Sequence, residues 1–133
     1  MVAGQTFLSS IEADLETIEV FPTVVTKAGK LMMTVYDFDE QRNQWGASLG
    51  SATAEVDKDS NDHWLPFAVK GLHLAKGKSY GFKLESDDTY VGVGEAAGSA
   101  HHPPLNAGKE WKFENNNPVP RAYRYFSLAF RVR

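Results

Sequence analysis

Two adjacent histidines and two adjacent prolines precede a tryptophan in the stretch SAHHPPLNAGKEW, residues 99–111. Imidazole nitrogens bind zinc and also act as general bases, so the pair could serve a metal site or a reaction. Neighbouring side chains of an extended segment point to opposite faces, however, and Pro103 favours an extended His102. The usual zinc spacings, H-E-x-x-H and H-x₃₋₅-H, are absent here. We therefore expect a surface loop, over residues 95–108, that holds no metal.

The sequence gives equally little support for a catalytic centre. Ser99 and His101 stand two residues apart, but no G-x-S-x-G turn is present to expose a serine nucleophile. Paired carboxylates could hydrolyse glycosides, yet the acidic clusters of this chain all fall where strands are predicted to end. Carboxylates at such positions more commonly belong to solvent-exposed turns. The sequence therefore predicts a domain that is not catalytic on its own.

Calcium is the one cofactor that the acidic clusters allow. Asp37 and Asp39 stand two residues apart in YDFDEQRN, and hard oxygen ligands of this density can hold Ca²⁺ with help from backbone carbonyls. The stretch lacks the glycine and the distal glutamate of the twelve-residue EF-hand loop. Two interpretations stay open, a solvated turn and a calcium site. We expect that the domain requires no cofactor and that calcium is the one ion it could bind.

The tryptophans are more informative about binding. Trp45 lies in the polar stretch QRNQWGAS, and Trp111 follows the histidine loop. An exposed aromatic ring among planar polar side chains suits a sugar, which presents apolar C–H faces and a rim of hydroxyls. We expect Trp64 in the core and leave Trp111 open between the core and the surface. The predicted ligand-binding residues are Arg42, Asn43, Trp45, Asp87, Asp88, Tyr90, His101, His102, Asn106 and Trp111.

The composition of the chain argues against some classes of binding partner. The chain has 133 residues with 14 basic against 17 acidic side chains, a net charge of -3, so it lacks the positive surface that nucleic acid requires. No apolar run approaches the roughly 18 residues of a membrane helix, so we expect no membrane insertion. Cysteine is absent, which excludes disulfides and thiolate ligands. The length suits one domain over residues 1–133, which we interpret as cut from a larger multidomain protein.

The elements that must position these residues are strands. Apolar residues alternate with polar ones in SYGFKLES, LMMTVYD, TIEVF and YFSLAFRVR, and turn residues separate these runs. About eight or nine short strands of this kind predict an all-β, antiparallel, jelly-roll-like β-sandwich. The stretch SSIEADLETI has too few turns to be a secure helix. The predicted core is Ile18, Val20, Met33, Val35, Phe67, Leu74, Tyr80, Phe82, Leu84, Phe126, Leu128 and Phe130.

The same strands carry a resemblance. LHLAKGKSYGFKLES is similar to the L-x-L-x-x-G-x-x-Y-x-[FL]-x-L signature of bacterial exported β-sandwich accessory domains. QTF with LETIEVF resembles their opening strands, LMMTVYDFD with WGASLGSA resembles the strands that follow, and YFSLAFRV resembles the closing strand. The resemblance covers nearly the whole chain. Its motifs specify a fold more than an activity.

The resemblance implies a secreted or surface location and neighbouring domains in the same chain, such as a glycoside hydrolase. Some members of this group are carbohydrate-binding modules and others are spacers. The sequence therefore yields two function hypotheses. The first is a non-catalytic module that binds an oligo- or polysaccharide through loop aromatics. The alternative is a structural, adhesion or tail-type spacer with no sugar ligand.

Overall fold

The computed structural model of this chain describes residues 2–89, 91–97, 110–112, 121–123 and 126–133. These residues form fifteen β segments, one 3₁₀ turn at Lys58–Ser60 and no α-helix. Every strand pair among them is antiparallel. In this part of the chain, nothing helical is long and apolar enough to cross a bilayer. The prediction of an all-β antiparallel sandwich is confirmed.

One layer of the sandwich is a six-stranded sheet. In spatial order it contains β13 (Arg121–Tyr123), β12 (Glu110–Lys112), β1 (Val2–Leu8), β9 (Ser79–Glu85), β5 (Gly29–Asp39) and β6 (Gln44–Val56). The alternation in β5 turns Leu31, Met33 and Val35 to the inner face, where each is fully buried. The outer face takes the other side chains of the same strands.

The second layer consists of four small sheets. They pair β15 (Phe130–Val132) with β3 (Ile18–Val20) and β3 with β7 (Leu65–Phe67), β10 (Val91–Val93) with β4 (Pro22–Val25), β11 (Glu95–Ala97) with β14 (Phe126–Leu128), and β2 (Ala13–Asp14) with β8 (His73–Leu74). Ile18 and Val20 of β3 join the buried cluster that also contains Met33 and Phe82 of the large sheet. The single core therefore lies between the two layers.

The predicted core residues occupy this cluster. Ten of the twelve are buried, namely Ile18, Val20, Met33, Val35, Phe67, Leu74, Tyr80, Phe82, Leu84 and Leu128. Phe130 packs against the cluster and is partly buried. The side chain of Phe126 lies outside the described residues. Period-two alternation thus assigned the inner faces correctly.

A buried polar side chain links the two layers. Gln5 of β1 is 0% exposed, its Nε2 donates to the carbonyl of Thr6 at 2.9 Å, and its Oε1 accepts from the backbone N–H of Leu128 at 2.9 Å. Both ends of the amide are therefore satisfied inside the core, which removes most of the cost of burying it.

Three expectations differ from the structure. The strands are more numerous than eight or nine because single residues or bulges divide long runs, as Phe21 divides β3 from β4 and Gly94 divides β10 from β11. The predicted loop over residues 95–108 starts too early, since residues 95–97 form β11 and pair with β14. Trp64 is half-buried outside the core, because Phe21 packs on its edge and the Arg131 guanidinium lies 3.9 Å from its ring centroid.

Candidate functional site

The outer face of the six-stranded sheet carries a cluster of aromatic side chains. We call it the aromatic cluster, and its members are Tyr36, Phe38, Trp45 and Trp111. Tyr36 and Phe38 point outward from β5 because they alternate with the inward Val35. Trp45 is the second residue of β6 and pairs with Phe38, while Trp111 is the central residue of β12 and pairs with Gly4. Both tryptophans therefore lie in strands, which corrects the prediction that the binding aromatics, Trp45 among them, belong to loops.

Glycines make room for these rings. The strands β1, β9 and β5 separate β12 from β6, and they place Gly4 and Gly81 on the outer face between the two tryptophans. A Cβ added to Gly81 would stand 2.6 Å from Cη2 of Trp45, well inside van der Waals contact. The six-membered ring of Trp45 therefore rests on the backbone of β9, where any larger residue would displace it.

The two tryptophans meet edge to face. Their ring centroids are 5.8 Å apart at an interplanar angle of 80°, and each also contacts Phe38 at 5.7 Å. Trp45 keeps part of its surface open to solvent, whereas Trp111 is only 3% exposed. Of the two positions that the sequence allows for Trp111, core and surface, the structure shows the buried one. Trp111 supports the cluster, and Trp45 presents the accessible ring.

A lysine completes the cluster. The ammonium of Lys83 lies 4.7 Å from the ring centroid of Tyr36 and 5.1 Å from that of Trp45, a cation–π arrangement with both. Partial burial lowers the pKa of Lys83 from its ordinary value, although the nearby carboxylate of Glu85 acts in the opposite direction. The result is a hydrogen-bond donor held over two aromatic rings, of which the Trp45 ring is partly exposed.

Along β9 in the direction of Glu85, the face opens into a cleft of about 280 Å³. Its lining residues are Lys30, Met32, Thr53, Glu85, Ser86, Asp87 and Asp88. Asp88 accepts from the backbone N–H of Lys30 at 3.1 Å and from the Ser86 hydroxyl at 3.1 Å, and the bond from Lys30 chiefly lowers the pKa of Asp88. Asp88 therefore anchors the loop to the start of β5, and Asp87 lines the same cleft as a second exposed carboxylate.

A second, shallower cleft lies beyond Phe38 and has a volume of about 600 Å³. Asp37, Asp39 and Glu40 line it together with Lys78. The two carboxylates of the predicted calcium site both have cationic neighbours, since Lys78 Nζ lies 2.8 Å from Asp37 and Arg42 Nε lies 3.9 Å from Asp39. Within the described ranges, no three side chains of the types that ligate metals form a group able to hold an ion.

Arg42 and Asn43 lie in the turn between β5 and β6. The backbone N–H of Arg42 donates to Asp39 at 3.0 Å, and Asn43 adopts a left-handed φ of 55°. Asparagine tolerates that conformation better than most residues do, so Asn43 has a structural reason to be there. Both residues lie within three positions of Trp45 in the chain, and both are exposed. Tyr90, His101, His102 and Asn106 lie outside the described residues.

Sequence reasoning missed an ionic cluster on the second layer. His73 of β8 has Asp14 at 2.8 Å from Nδ1, and Nε2 contacts Glu12. Carboxylates only accept hydrogen bonds, so both ring nitrogens are protonated and the imidazolium joins β8 to β2. The hydrogen bond to Asp14, followed by that to Glu12, raises the pKa of His73. The cluster is a surface clamp, because all three side chains are exposed.

Tyr36, Phe38 and Lys83 are also parts of the site that sequence reasoning did not predict. The signal was present in the alternation, which places residues 34, 36 and 38 of β5 and residues 81 and 83 of β9 on one outward face. An outward row that includes Tyr36 and Phe38 is unusual for a solvated strand. A glycine between the inward Tyr80 and Phe82 marks the place where another group approaches the backbone.

Comparison with known proteins identifies no family for this fold. No model of a known protein family matches the chain, and neither the curated proteins nor the solved structures contain a significant match. The resemblance to exported β-sandwich accessory domains stays a prediction.

Proposed function

We propose that this domain binds carbohydrate without catalysing a reaction, and that the aromatic cluster on the outer face of the six-stranded sheet is its binding surface. One observation carries the proposal. A half-buried Trp45 lies on this face with the Lys83 ammonium 5.1 Å from its ring centroid. An aromatic plane beside a hydrogen-bond donor is the combination that a sugar ring, apolar on its faces and polar at its rim, requires.

The surroundings of Trp45 favour an extended ligand. From Gly81 to Glu85, β9 covers about 13 Å at roughly 3.3 Å per residue. Thr34 lies opposite Lys83, and Glu85 borders the smaller cleft together with Thr53 and Asp87. These hydroxyl and carboxylate groups supply donors and acceptors along the line that leads away from the aromatic ring. The binding surface is therefore a strip on the sheet, in place of the loop aromatics that the sequence predicts.

Binding at this surface should be weak. Stacking on one aromatic ring contributes on the order of 1 kcal/mol, so a single site should have a dissociation constant in roughly the micromolar to millimolar range. A module of this strength is useful when it is attached to other domains or presented in several copies. The resemblance of the sequence supports a secreted or cell-surface protein as that context.

The experiment is affinity gel electrophoresis with a panel of soluble polysaccharides. Any polysaccharide that retards the domain is followed up by titration calorimetry with the corresponding oligosaccharides. We expect one or more glycans to retard the domain and the Trp45→Ala variant to migrate freely. Trp64→Ala is the matched control, because Trp64 is also half-buried but lies outside the cluster beneath Arg131. Trp111→Ala is a poor probe of binding, because Trp111 is buried and its removal would disturb the packing of the cluster without removing a ring that a ligand can reach.

The structural spacer is the second candidate. Its support is the close packing of the cluster, in which Phe38 is 5% exposed and Trp111 is 3% exposed. Such packing can stabilise a sheet without any ligand. If no polysaccharide retards the wild-type domain, or if Trp45→Ala and Trp64→Ala are retarded alike, carbohydrate binding at this face is wrong and the spacer hypothesis replaces it.

A further inference from the structure

The strand β6 (Gln44–Val56) forms one side of the six-stranded sheet. It has 13 residues and pairs with β5, and no other described strand adds to its second side. A strand in this position presents a row of backbone N–H and C=O groups that can pair with another strand. β6 is the longest strand among those described, so the row is long.

The sequence of β6 lacks most of the features that protect such edges. Proteins commonly discourage pairing with lysine, proline, inward charges or a bulge. QWGASLGSATAEV contains no proline and no basic residue, and Glu55 is its only charge. Two bulges do occur. Val35 pairs with Gly50 and Tyr36 with Ser48, which leaves Leu49 unpaired and exposed, and the pairing of Phe38 with Trp45 inserts a further residue of β6. The seven residues of Gly50–Val56 continue in unbroken register beyond both bulges.

We propose that β6 is an association surface and that its occupant is the β6 strand of a second copy of this chain, paired antiparallel about a twofold axis. An isologous contact requires the strand to be compatible with itself. For an axis at any residue from Gly50 to Thr53, residue pairing places Glu55 opposite an uncharged residue of the same strand. Small side chains also let two backbones approach to the ordinary strand spacing of about 4.8 Å.

The twofold axis fixes how the two copies face. Antiparallel strands of one sheet are related by an axis perpendicular to that sheet, so both outer faces point to the same side. The two Trp45 side chains would lie roughly 33 to 53 Å apart along the strand direction, at about 3.3 Å per residue. The association therefore joins two six-stranded sheets into one surface, and it stands whether or not the aromatic cluster binds a sugar.

Pairing along one strand buries little area compared with the 1,200–2,000 Å² or so of typical stable complexes, so we expect a weak dimer. Sedimentation velocity from about 10 µM to about 1 mM should show a monomer converting to a dimer as concentration rises. The Ser51→Lys, Thr53→Lys double variant should remain monomeric over the same range. Ser10→Lys with Ala28→Lys is the matched control, because it adds the same charge at exposed loop positions.

The absence of cysteine permits a second, independent measurement. Single variants Ser51→Cys and Thr53→Cys place a thiol near the proposed axis, and mild oxidation should link them covalently as dimers. Ser10→Cys, in a loop away from β6, should cross-link at least tenfold more slowly. The faster of the two β6 variants is the one whose residue lies nearer the axis.

Some results would overturn the proposal. A wild-type domain that remains monomeric at about 1 mM, a lysine variant that dimerises like its control, or β6 cysteines that cross-link no faster than Ser10→Cys would each do so. Species that grow beyond the dimer would also contradict it, because a twofold contact closes on itself.

Discussion

The indole of Trp45 lies where a side chain on Gly81 would begin. The Cβ of an alanine at position 81 would stand 2.6 Å from Cη2 and 3.2 Å from Cε3 of that ring. Residue 81 lies on β9, whereas Trp45 belongs to β6, and β5 separates the two strands. The position of the accessible ring is therefore set by a missing side chain on a strand that is not its neighbour.

Gly81→Ala should displace Trp45 and disrupt the aromatic cluster. We expect a loss of stability of about 1–3 kcal/mol, since the added methyl group overpacks the contact. Near-ultraviolet circular dichroism of the tryptophans should change as well, and denaturant unfolding measures the stability. Gly92→Ala is the control, because its Cβ would meet neighbours only at 3.6 Å or more. Equal effects of the two substitutions would contradict the assigned role of Gly81.

Phe82→Ala should reduce the free energy of unfolding by about 3–5 kcal/mol. Phe82 is 0% exposed and packs against Phe7 and Phe130, so truncation leaves a cavity between the layers. Val24→Ala, on a residue that is 52% exposed, should change stability by no more than about 0.5 kcal/mol. Urea denaturation of both variants tests the difference. A small effect at Phe82 would mean that the register of β9 is wrong.

The clamp between His73, Glu12 and Asp14 should make the stability of the second layer depend on pH. The raised pKa of His73 means that its contribution is complete below the unfolded value of 6.5 and is lost as pH rises through the higher folded pKa. Hydrogen bonds from His73 and from the backbone of Lys76 lower the pKa of Glu12, so its contribution is complete above 4.5 and is lost as pH falls through the lower folded value. The clamp should therefore be strongest between pH 4.5 and pH 6.5.

The measurement compares the wild type with His73→Gln by denaturant unfolding at about pH 5.5 and about pH 9, one below and one well above the ordinary histidine pKa of about 6.5. The difference in stability should be present at the lower pH and shrink at the higher one. An NMR titration of the His73 ring supplies a direct reading of its pKa. A pKa at or below 6.5 would show that the two carboxylates do not hold the imidazolium.

Calcium should leave the melting temperature unchanged. Lys78 lies 2.8 Å from Asp37, and Arg42 donates its backbone N–H to Asp39 at 3.0 Å, so an ion would have to displace favourable partners. Melting curves with millimolar calcium and with a chelator, about 1 mM each, test this through the stabilisation that a bound ion confers. A higher melting temperature in calcium, abolished by Asp39→Asn, would restore the calcium interpretation of this turn.

Local alternation carries most of what the sequence could predict. Tyr80, Phe82 and Leu84 are inward because every second residue of a strand shares a face, and that rule needs no tertiary information. The meeting of Trp45 and Trp111 could not be derived in this way, since it depends on the order of five strands in the sheet. The alternation does predict that Tyr36 and Phe38 face outward. It does not predict which other strands contribute aromatic residues to the same face.

The bond between Gln5 and Leu128 has a consequence for how fast the chain can fold. It joins residues 123 positions apart, and the ion pair of Glu19 with Arg131 joins residues 112 apart. Closing such long loops costs chain entropy before the contacts repay it, and all-β domains rich in non-local contacts refold in roughly milliseconds to seconds. During synthesis, β1 can pair with β9 and β3 with β7 first, whereas the bond from Gln5 to Leu128 and the pairing of β3 with β15 form only once β14 and β15 emerge.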